Sequence, residues 1–270
     1  MIIDVELNNN FSTNPKQLDV SRYVCGVIDV IRATTTISVM LARGAHEVII
    51  AKNKSQAFFL KKIFKNYLLC GEEGGIPPKG FDFGNSPLEY SSMNLEDKGI
   101  ILKTTNGTKS FFKTLNSRSS FAMSLVNISY TCDAVIYEAE KTGSDILLIC
   151  SGEKGKIAYD DAFAAGIAVK IFKEKRKNIA LSDSALVVLN NAKTEIDASD
   201  ALKKSTSYRS MVKAGLGDDL EICSLRDLYK VTGRLQKKEA EIFENLKTDN
   251  NYFKNSNILS DIFIVKPYKL

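Results

Sequence analysis

The run Val24-Cys25-Gly26-Val27-Ile28-Asp29-Val30-Ile31-Arg32-Ala33-Thr34-Thr35-Thr36 decides the fold. Residues 24–30 are short, apolar and rich in β-branched side chains, the pattern of a strand buried on both faces. Its single carboxylate is Asp29. An arginine and three hydroxyls follow, and helical periodicity begins at once over residues 34–43. A strand that delivers Asp and Arg to the mouth of a helix gathers a metal-ligand type, a fork of guanidinium donors and free helix N–H groups. That set suits a doubly charged oxyanion beside a divalent cation. Two plainer roles stay open: Asp29 as an N-cap, and Arg32 as an exposed surface residue.

Outward from this run, short apolar stretches alternate with helical patterns. Strands are predicted over residues 1–7, 24–30, 47–50, 68–70, 100–103, 134–136, 146–150 and 262–265. Helices are predicted over 34–43, 55–66, 107–115, 126–142, 159–175, 182–191 and 235–246. The alternation argues for a three-layer α/β/α fold with a mainly parallel or mixed sheet, built from repeated strand-turn-helix units. The chain reads as one catalytic α/β unit over 1–270, with a subdivision into two similar lobes near 120–145 as the variant of that plan. Residues 193–227 read as loop-rich with a smaller helical piece.

Three strand-to-helix turns share a layout. The first is the opening run. The second is Thr104-Thr105-Asn106-Gly107-Thr108-Lys109 after residues 99–103, and the third is Ser151-Gly152-Glu153-Lys154-Gly155-Lys156 after 145–150, leading to Asp160-Asp161. Ligands of open α/β sheets sit at the carboxyl ends of strands, so the three turns are expected to converge on one cleft. Hydroxyls, an Asn amide and Gly107 at the second turn can cradle an oxyanion, while an ordinary N-cap is the plainer account. Asp160 and Asp161 suit a helix start through the dipole. They also form, with Asp29 and Glu72, an oxygen-rich set of candidate Mg²⁺ ligands. Residues 71–91 form a long aperiodic stretch, and Phe81 and Phe83 argue for an ordered active-site loop.

Composition narrows the function further. The chain has 270 residues, 44% of them apolar, and a net charge of +5 from 37 basic and 32 acidic residues. That balance fits anionic small-molecule ligands better than nucleic acid, because no basic and aromatic groove pattern accompanies it. No apolar run reaches the roughly 18 residues of a membrane span. The five scattered cysteines hold no C-x-x-C pair and read as buried free thiols of a cytoplasmic protein. The sole histidine, His46, gives no support to a Ser-His-Asp triad or a phosphohistidine route. Neither a P-loop nor a dinucleotide fingerprint occurs. The partners expected are a small anionic phosphoester and, as the assembly left open, a second copy in a homodimer.

The motifs together resemble the 2-phosphosulfolactate phosphatase family. They are residues 29–36 (DVIRATTT), Ala42-Arg43-Gly44-Ala45 with Glu47-Val48, Gly71-Glu72, residues 80–89 (GFDFGNSPLE), 104–108 (TTNGT), Cys150-Ser151-Gly152, 160–166, and a tail over 215–234 with Asp218, Asp219, Cys223 and Asp227. The resemblance spans roughly residues 24–235. It implies a Mg²⁺-dependent hydrolase that releases phosphate from 2-phospho-3-sulfolactate, giving 3-sulfolactate, a step in making coenzyme M. Asp29, Arg32 and Asp161 are then the expected catalytic residues, and Asp29, Glu72, Asp160 and Asp161 the expected metal ligands. The expected substrate contacts are Thr34, Thr35, Asn85, Ser86, Thr104, Thr105, Asn106, Gly107, Thr108 and Lys109. On this reading Asp29 ligates metal or attacks phosphorus, and Asp161 or Glu72 positions water. Two positions depart from the family pattern: Glu73 stands where a basic residue often follows Gly-Glu, and Asp160 stands in place of Glu.

Overall fold

A computed structural model describes residues 1–11, 18–194, 197–237 and 262–270. Ten strands among these residues form one sheet: β1 (Ile2–Glu6), β2 (Tyr23–Ile28), β3 (Glu47–Ile50), β4 (Leu68–Gly71), β5 (Gly99–Lys103), β6 (Ser119–Met123), β7 (Asp145–Cys150), β8 (Ala180–Leu181), β9 (Thr232–Lys237) and β10 (Phe263–Tyr268). The helices are α1 (Ala33–Ala42), α2 (Lys54–Ile63), α3 (Pro87–Ser91), α4 (Gly107–Lys113), α5 (Ile128–Thr142), α6 (Tyr159–Lys175), α7 (Asp183–Lys193), α8 (Ala198–Lys203), α9 (Thr206–Lys213) and α10 (Leu220–Cys223). The α/β class expected from the alternation is the class observed.

The two faces of the sheet are apolar for the usual period-two reason. In β3, Val48 and Ile50 pack with Ile37, Met40 and Leu41 of α1, while Ile49 between them packs with Ala57 and Leu60 of α2 on the opposite face. Along β2 and β7, Val24, Ile146 and Leu148 face α5 and α6, and Cys25, Leu147 and Ile149 face the other way.

The sheet order is β4-β5-β3-β10-β9-β6-β2-β7-β1-β8. β3, β4 and β5 are mutually parallel, as are β1, β2, β6, β7 and β8. The antiparallel pairs β3–β10, β10–β9 and β9–β6 join the two sets, which therefore run in opposite senses along the ladder. The chain order repeats as well. The unit β2-α1-β3-α2-β4 is followed by β5-α4-β6-α5-β7, and the sheet sets β3, β5 and β4 outward from β10 as it sets β6, β2 and β7 outward from β9. This is a pseudo-two-fold arrangement centred on the β9–β10 pair. Five ladder steps separate β2 from β5. At roughly 20–25° of twist per step, the sheet turns by about 100–125° between them, which brings two formally opposed strand ends toward the same side.

Two local expectations are corrected, and one strand was not foreseen. Residues 134–136 (Ala-Val-Ile) lie inside α5, where their apolar side chains belong to its buried face and the helix runs on to Gly143 in the left-handed conformation. Residues 235–237 are not the start of a helix but the end of β9, because pairing with β10 outweighs the local helical pattern; the remainder of that predicted helix lies outside the described residues. Residues 119–123 form a fully buried strand that the Ser-rich sequence does not announce. The long loop over 71–91 is ordered, with Phe83 bridged to Cys70 and α3 at its end.

Candidate active site

At the tip of β2 the threonines hold the turn itself. The Thr34 hydroxyl accepts from the Asp29 N–H at 2.9 Å and donates to the Asp29 carbonyl at 2.8 Å, and the Thr35 hydroxyl donates to the Val30 carbonyl at 2.8 Å. Thr36 donates to the Asn85 carbonyl at 3.1 Å, tying the long loop to the first turn. All three are fully buried, so Thr34 and Thr35 shape the site from behind and do not line it. Their work frees the side chain of Asp29. Its Oδ1 accepts from the Ala33 N–H at 3.0 Å, the capping role allowed by the sequence, and Oδ2 turns toward Gly107.

The β5 turn uses the same device. The Thr104 N–H donates to the Thr108 hydroxyl and the Thr108 N–H to the Thr104 hydroxyl, both at 3.0 Å. Thr105 and Asn106 are left facing the cleft. A Cβ added to Gly107 would lie 2.5 Å from the Ala33 Cβ and 2.9 Å from Asp29 Oδ2. Real Cβ atoms do not come so near, so glycine is what lets the two turns touch.

Glu72 follows β4 in a tight hairpin and clamps the neighbouring turns: its carboxylate accepts from the Gly75 N–H at 2.9 Å and from the Thr105 N–H. Arg32 reaches over this hairpin. One guanidinium nitrogen donates to the Gly75 carbonyl at 2.8 Å, and another pairs with Asp219 at 2.7 Å, a fully buried contact that also takes the Ser86 hydroxyl. Arg32 is thus a cleft residue held in place, with further N–H donors of its five to spare.

From the β7 side, Asp161 accepts from the Val30 N–H at 2.8 Å and the Gly152 N–H at 2.9 Å, locking the first and third turns together. Asp160 accepts from the Ser207 hydroxyl at 2.9 Å, and its Oδ2 is buried without a partner among the described residues. Glu153 accepts from the Ser210 hydroxyl at 2.6 Å, and its Oε2 is likewise unpartnered.

These turns enclose a cleft of about 190 Å³ lined by Asp29, Arg32, Glu72, Asn85, Thr104, Thr105, Asn106, Glu153, Lys154 and Asp161, with Ser207, Ser210 and Met211 of α9 closing one side. Asp29, Asn106 and Asp161 therefore meet in one place. Asp160 lies buried behind them; Ser86 and Thr108 support the walls, and Lys109 is exposed and outside the lining. Sequence reading missed α9, which carries no chemical signature, and Glu153 with Lys154. A signal for the last two existed: Gly71-Glu72-Glu73-Gly74-Gly75-Ile76 and Gly152-Glu153-Lys154-Gly155-Lys156-Ile157 share the pattern G-E-x-G-x-I after matching strands.

Electrostatically the cleft is acidic. Two cations, Arg32 and Lys154, face four carboxylates, Asp29, Glu72, Glu153 and Asp161, a formal charge of −2 when all are ionised. Burial, then the charges of Asp160 and Glu72, push Asp29 up to about 7 against the pull of the Ala33 N–H and Arg32. Burial also raises Asp160 to about 6, and burial with the charges of Asp160 and Asp29 raises Asp161 well above the ordinary carboxylate range. Three such acids at one wall are short of positive charge.

A model of the 2-phosphosulpholactate phosphatase family matches residues 11–238. The chain belongs to the 2-phosphosulfolactate phosphatase family. A relative from Pseudothermotoga lettingae, named probable 2-phosphosulfolactate phosphatase, is 37% identical over 210 residues, 78% of this chain and 88% of its own. One of the same name from Carboxydothermus hydrogenoformans is 38% identical over 213 residues, 78% and 86% of the two chains. Another, from Clostridium acetobutylicum, is 29% identical over 217 residues, 80% and 91%. Membership in the 2-phosphosulfolactate phosphatase family makes this chain a hydrolase of phosphoric monoesters. The motifs named from the sequence line this cleft, which brings acids and donors together. No helix among the described residues is long and apolar enough to cross a membrane. His46 is exposed, edge-on to Tyr67 and outside the lining.

Proposed function

We propose that the chain is a Mg²⁺-dependent phosphatase that hydrolyses 2-phospho-3-sulfolactate, the substrate in the family's name, to 3-sulfolactate, and that this serves coenzyme M formation. The charge of the cleft carries the metal part of this reading. With its four carboxylates ionised the cleft carries a formal charge of −2 and repels a substrate bearing phosphate, sulfonate and carboxylate; a divalent cation would both hold those acids ionised and remove that repulsion. The donors fit Mg²⁺: they are hard carboxylate oxygens, and Asp160 Oδ2 is buried with no hydrogen-bond donor among the described residues. Among the described residues no group of three or more His, Cys, Asp or Glu side chains is placed to hold a metal ion. Mg²⁺ commonly takes one or two carboxylates and completes its shell with water and phosphate oxygens. Asp29 through Oδ2, with Asp160 or Asp161, would hold it.

A bound Mg²⁺ supplies Lewis-acid polarisation of the phosphoryl group and offsets charge in the transfer. The protein's own groups do the rest. Arg32, fixed by Asp219 and the Gly75 carbonyl, presents its remaining donors to the ester oxygens. Lys154, Thr105 and Asn106 add a cation, a hydroxyl and an amide on the facing walls. Backbone clamps through Glu72 and Asp161 keep the turns from spreading, so these donors are positioned before substrate arrives. All five cysteines are free and buried, which suits the reducing cytoplasm.

The test compares phosphate release from 2-phospho-3-sulfolactate with release from phospholactate and phosphoglycolate, each with Mg²⁺ and with excess chelator. A higher kcat/KM for the sulfonated ester and loss of turnover with chelator support the reading. Equal or better turnover of the esters lacking sulfonate assigns the cleft to another small phospho-acid.

A further inference from the structure

One residue of the cleft lining stands in a backbone conformation that its side chain does not favour. Two tight turns, Glu73-Gly74-Gly75-Ile76 and Glu153-Lys154-Gly155-Lys156, are each closed by a bridge between the first and last residue. Both central residues of each turn are left-handed: φ is 65° and 92° at Gly74 and Gly75, and 52° and 74° at Lys154 and Gly155. Such turns select Gly, Asn or Asp at their centre. The first turn conforms with two glycines, whereas the second carries a lysine. The other non-glycine residues with positive φ among the described residues are Asp97 and Asp227, a residue type whose short polar side chain tolerates that region. Lysine has no such local compensation, and strain of this kind collects at functional positions.

The turn is fixed while the lysine head is free. Glu153 and Lys156 exchange backbone hydrogen bonds at 3.0 and 2.9 Å, and the Asn10 amide, from the loop after β1, donates to the Gly155 carbonyl at 3.0 Å. The acids of the lining are engaged elsewhere. Glu153 accepts from the Ser210 hydroxyl, Asp161 from the Val30 and Gly152 N–H groups, and Glu72 from those of Gly75 and Thr105. Among the described residues the Lys154 side chain, which is exposed, makes no hydrogen bond or ion pair. Arg32, the other cation of the lining, is buried and clamped by Asp219 and the Gly75 carbonyl.

From this contrast we infer that Lys154 is the specificity residue of the cleft and binds the sulfonate of the substrate, while Arg32 faces the phosphate. The inference rests on the phosphatase reading and deepens it. A sulfonate is permanently ionised and has three equivalent oxygens; a lysine ammonium is a compact charge with three N–H donors on a flexible stem. An exposed, unpaired lysine suits a group that does not react, and a buried, fixed guanidinium suits the group that does. An ester with a methyl in place of the sulfonate offers Lys154 no anion there and forfeits the contact.

One experiment separates the failure of each. Wild type, Lys154→Met and Lys154→Gly are assayed with Mg²⁺ on 2-phospho-3-sulfolactate and on phospholactate, which keeps phosphate and carboxylate but lacks the sulfonate. The readout is the ratio of the two kcat/KM values. In both variants this ratio is expected to fall at least about tenfold, the loss of one hydrogen-bonded charge, and to fall through KM for the sulfonated ester. Binding of 3-sulfolactate, measured by calorimetry, should weaken by a similar factor. Lys154→Gly also removes the left-handed side chain, so its melting temperature is expected at or above that of wild type, which separates lost selectivity from lost folding. A ratio within about threefold of wild type, roughly 0.7 kcal/mol, overturns the assignment of Lys154 alone. So does an equal loss on both esters, which would put Lys154 on the phosphate or the carboxylate. A wild type with no preference for the sulfonated ester overturns the sulfonate as the group recognised, and Lys154 with it. No phosphate release from either ester overturns the phosphatase reading itself.

Discussion

The Arg32–Asp219 pair is one contact, beside those of Ser207 and Ser210, that joins the segment after α8 to the cleft turns. Both side chains are buried, at 5% and 2% exposure, and the pair measures 2.7 Å. Among the described residues, Asp219→Ala leaves a buried guanidinium with the Gly75 carbonyl as its remaining partner, and Arg32→Met leaves a buried carboxylate with only the Ser86 hydroxyl. Breaking a buried pair from either side typically costs about 3–5 kcal/mol. For a chain of this size each kcal/mol lowers the melting temperature by roughly 2–4 °C, so each single variant should melt about 6–20 °C lower. Removing both charges leaves no stranded ion, and the double variant should lose far less than the sum of the two. The assay is urea unfolding of the four proteins, read as a double-mutant cycle, with a coupling of at least about 2 kcal/mol expected. A coupling below about 0.5 kcal/mol would refute the pair as a stabilising link between these segments. Activity should follow the same cycle, because Arg32 loses its aim when Asp219 is removed.

Three further outcomes follow from the geometry. Gly107→Ala pushes a methyl into Ala33 and Asp29 Oδ2, and a displacement near 1 Å at the reacting centre is expected to lower kcat/KM by about 10²-fold; unchanged kinetics would show that the two turns need not touch. Lys109→Ala should leave kcat/KM within about threefold, about 0.7 kcal/mol, because the side chain is exposed outside the cleft; a larger loss would put it in the substrate's path. The metal-free protein should lose stability as pH rises. Asp29 and Asp160 have folded-state values raised to about 7 and about 6, above the ordinary carboxylate value. Their contribution is complete below about pH 4, the unfolded range, and is lost as pH climbs through those raised values. Added Mg²⁺ should therefore raise the melting temperature more at pH 8 than at pH 5, and equal shifts would contradict carboxylates strained by burial and mutual charge.

Sequence made parts of this molecule legible for identifiable reasons. Strand β3 and helix α6 have the bounds their periodicity predicts, because each has a buried face that matches its own period. Asp29, Asp160 and Asp161 stood out because carboxylates beside apolar runs need a partner or a function. The threonines misled in an instructive way. Thr34 and Thr35 look like ligand donors, but a strand turning sharply into a helix has orphan backbone groups, and the hydroxyls go there first. Strand β6 was hidden because Ser119 and Ser120 look solvent-facing, yet they are buried with Arg234, Glu138 and Thr114 as partners. The α9 wall could not be read at all, since Ser207 and Ser210 acquire meaning only once Asp160 and Glu153 are beside them. Pairing across the pseudo-two-fold axis is likewise a property of the sheet, invisible to any local window.

The measurement closest to the central claim is the rate of phosphate release from 2-phospho-3-sulfolactate by wild type and Asp29→Asn across a Mg²⁺ titration. One cleft made by three strand tips, with Asp29 at its centre, predicts turnover that saturates with Mg²⁺ in wild type and a kcat/KM at least about 10²-fold lower in the variant at any Mg²⁺ concentration. Turnover that ignores chelator, or an Asp29→Asn protein as fast as wild type, would contradict it.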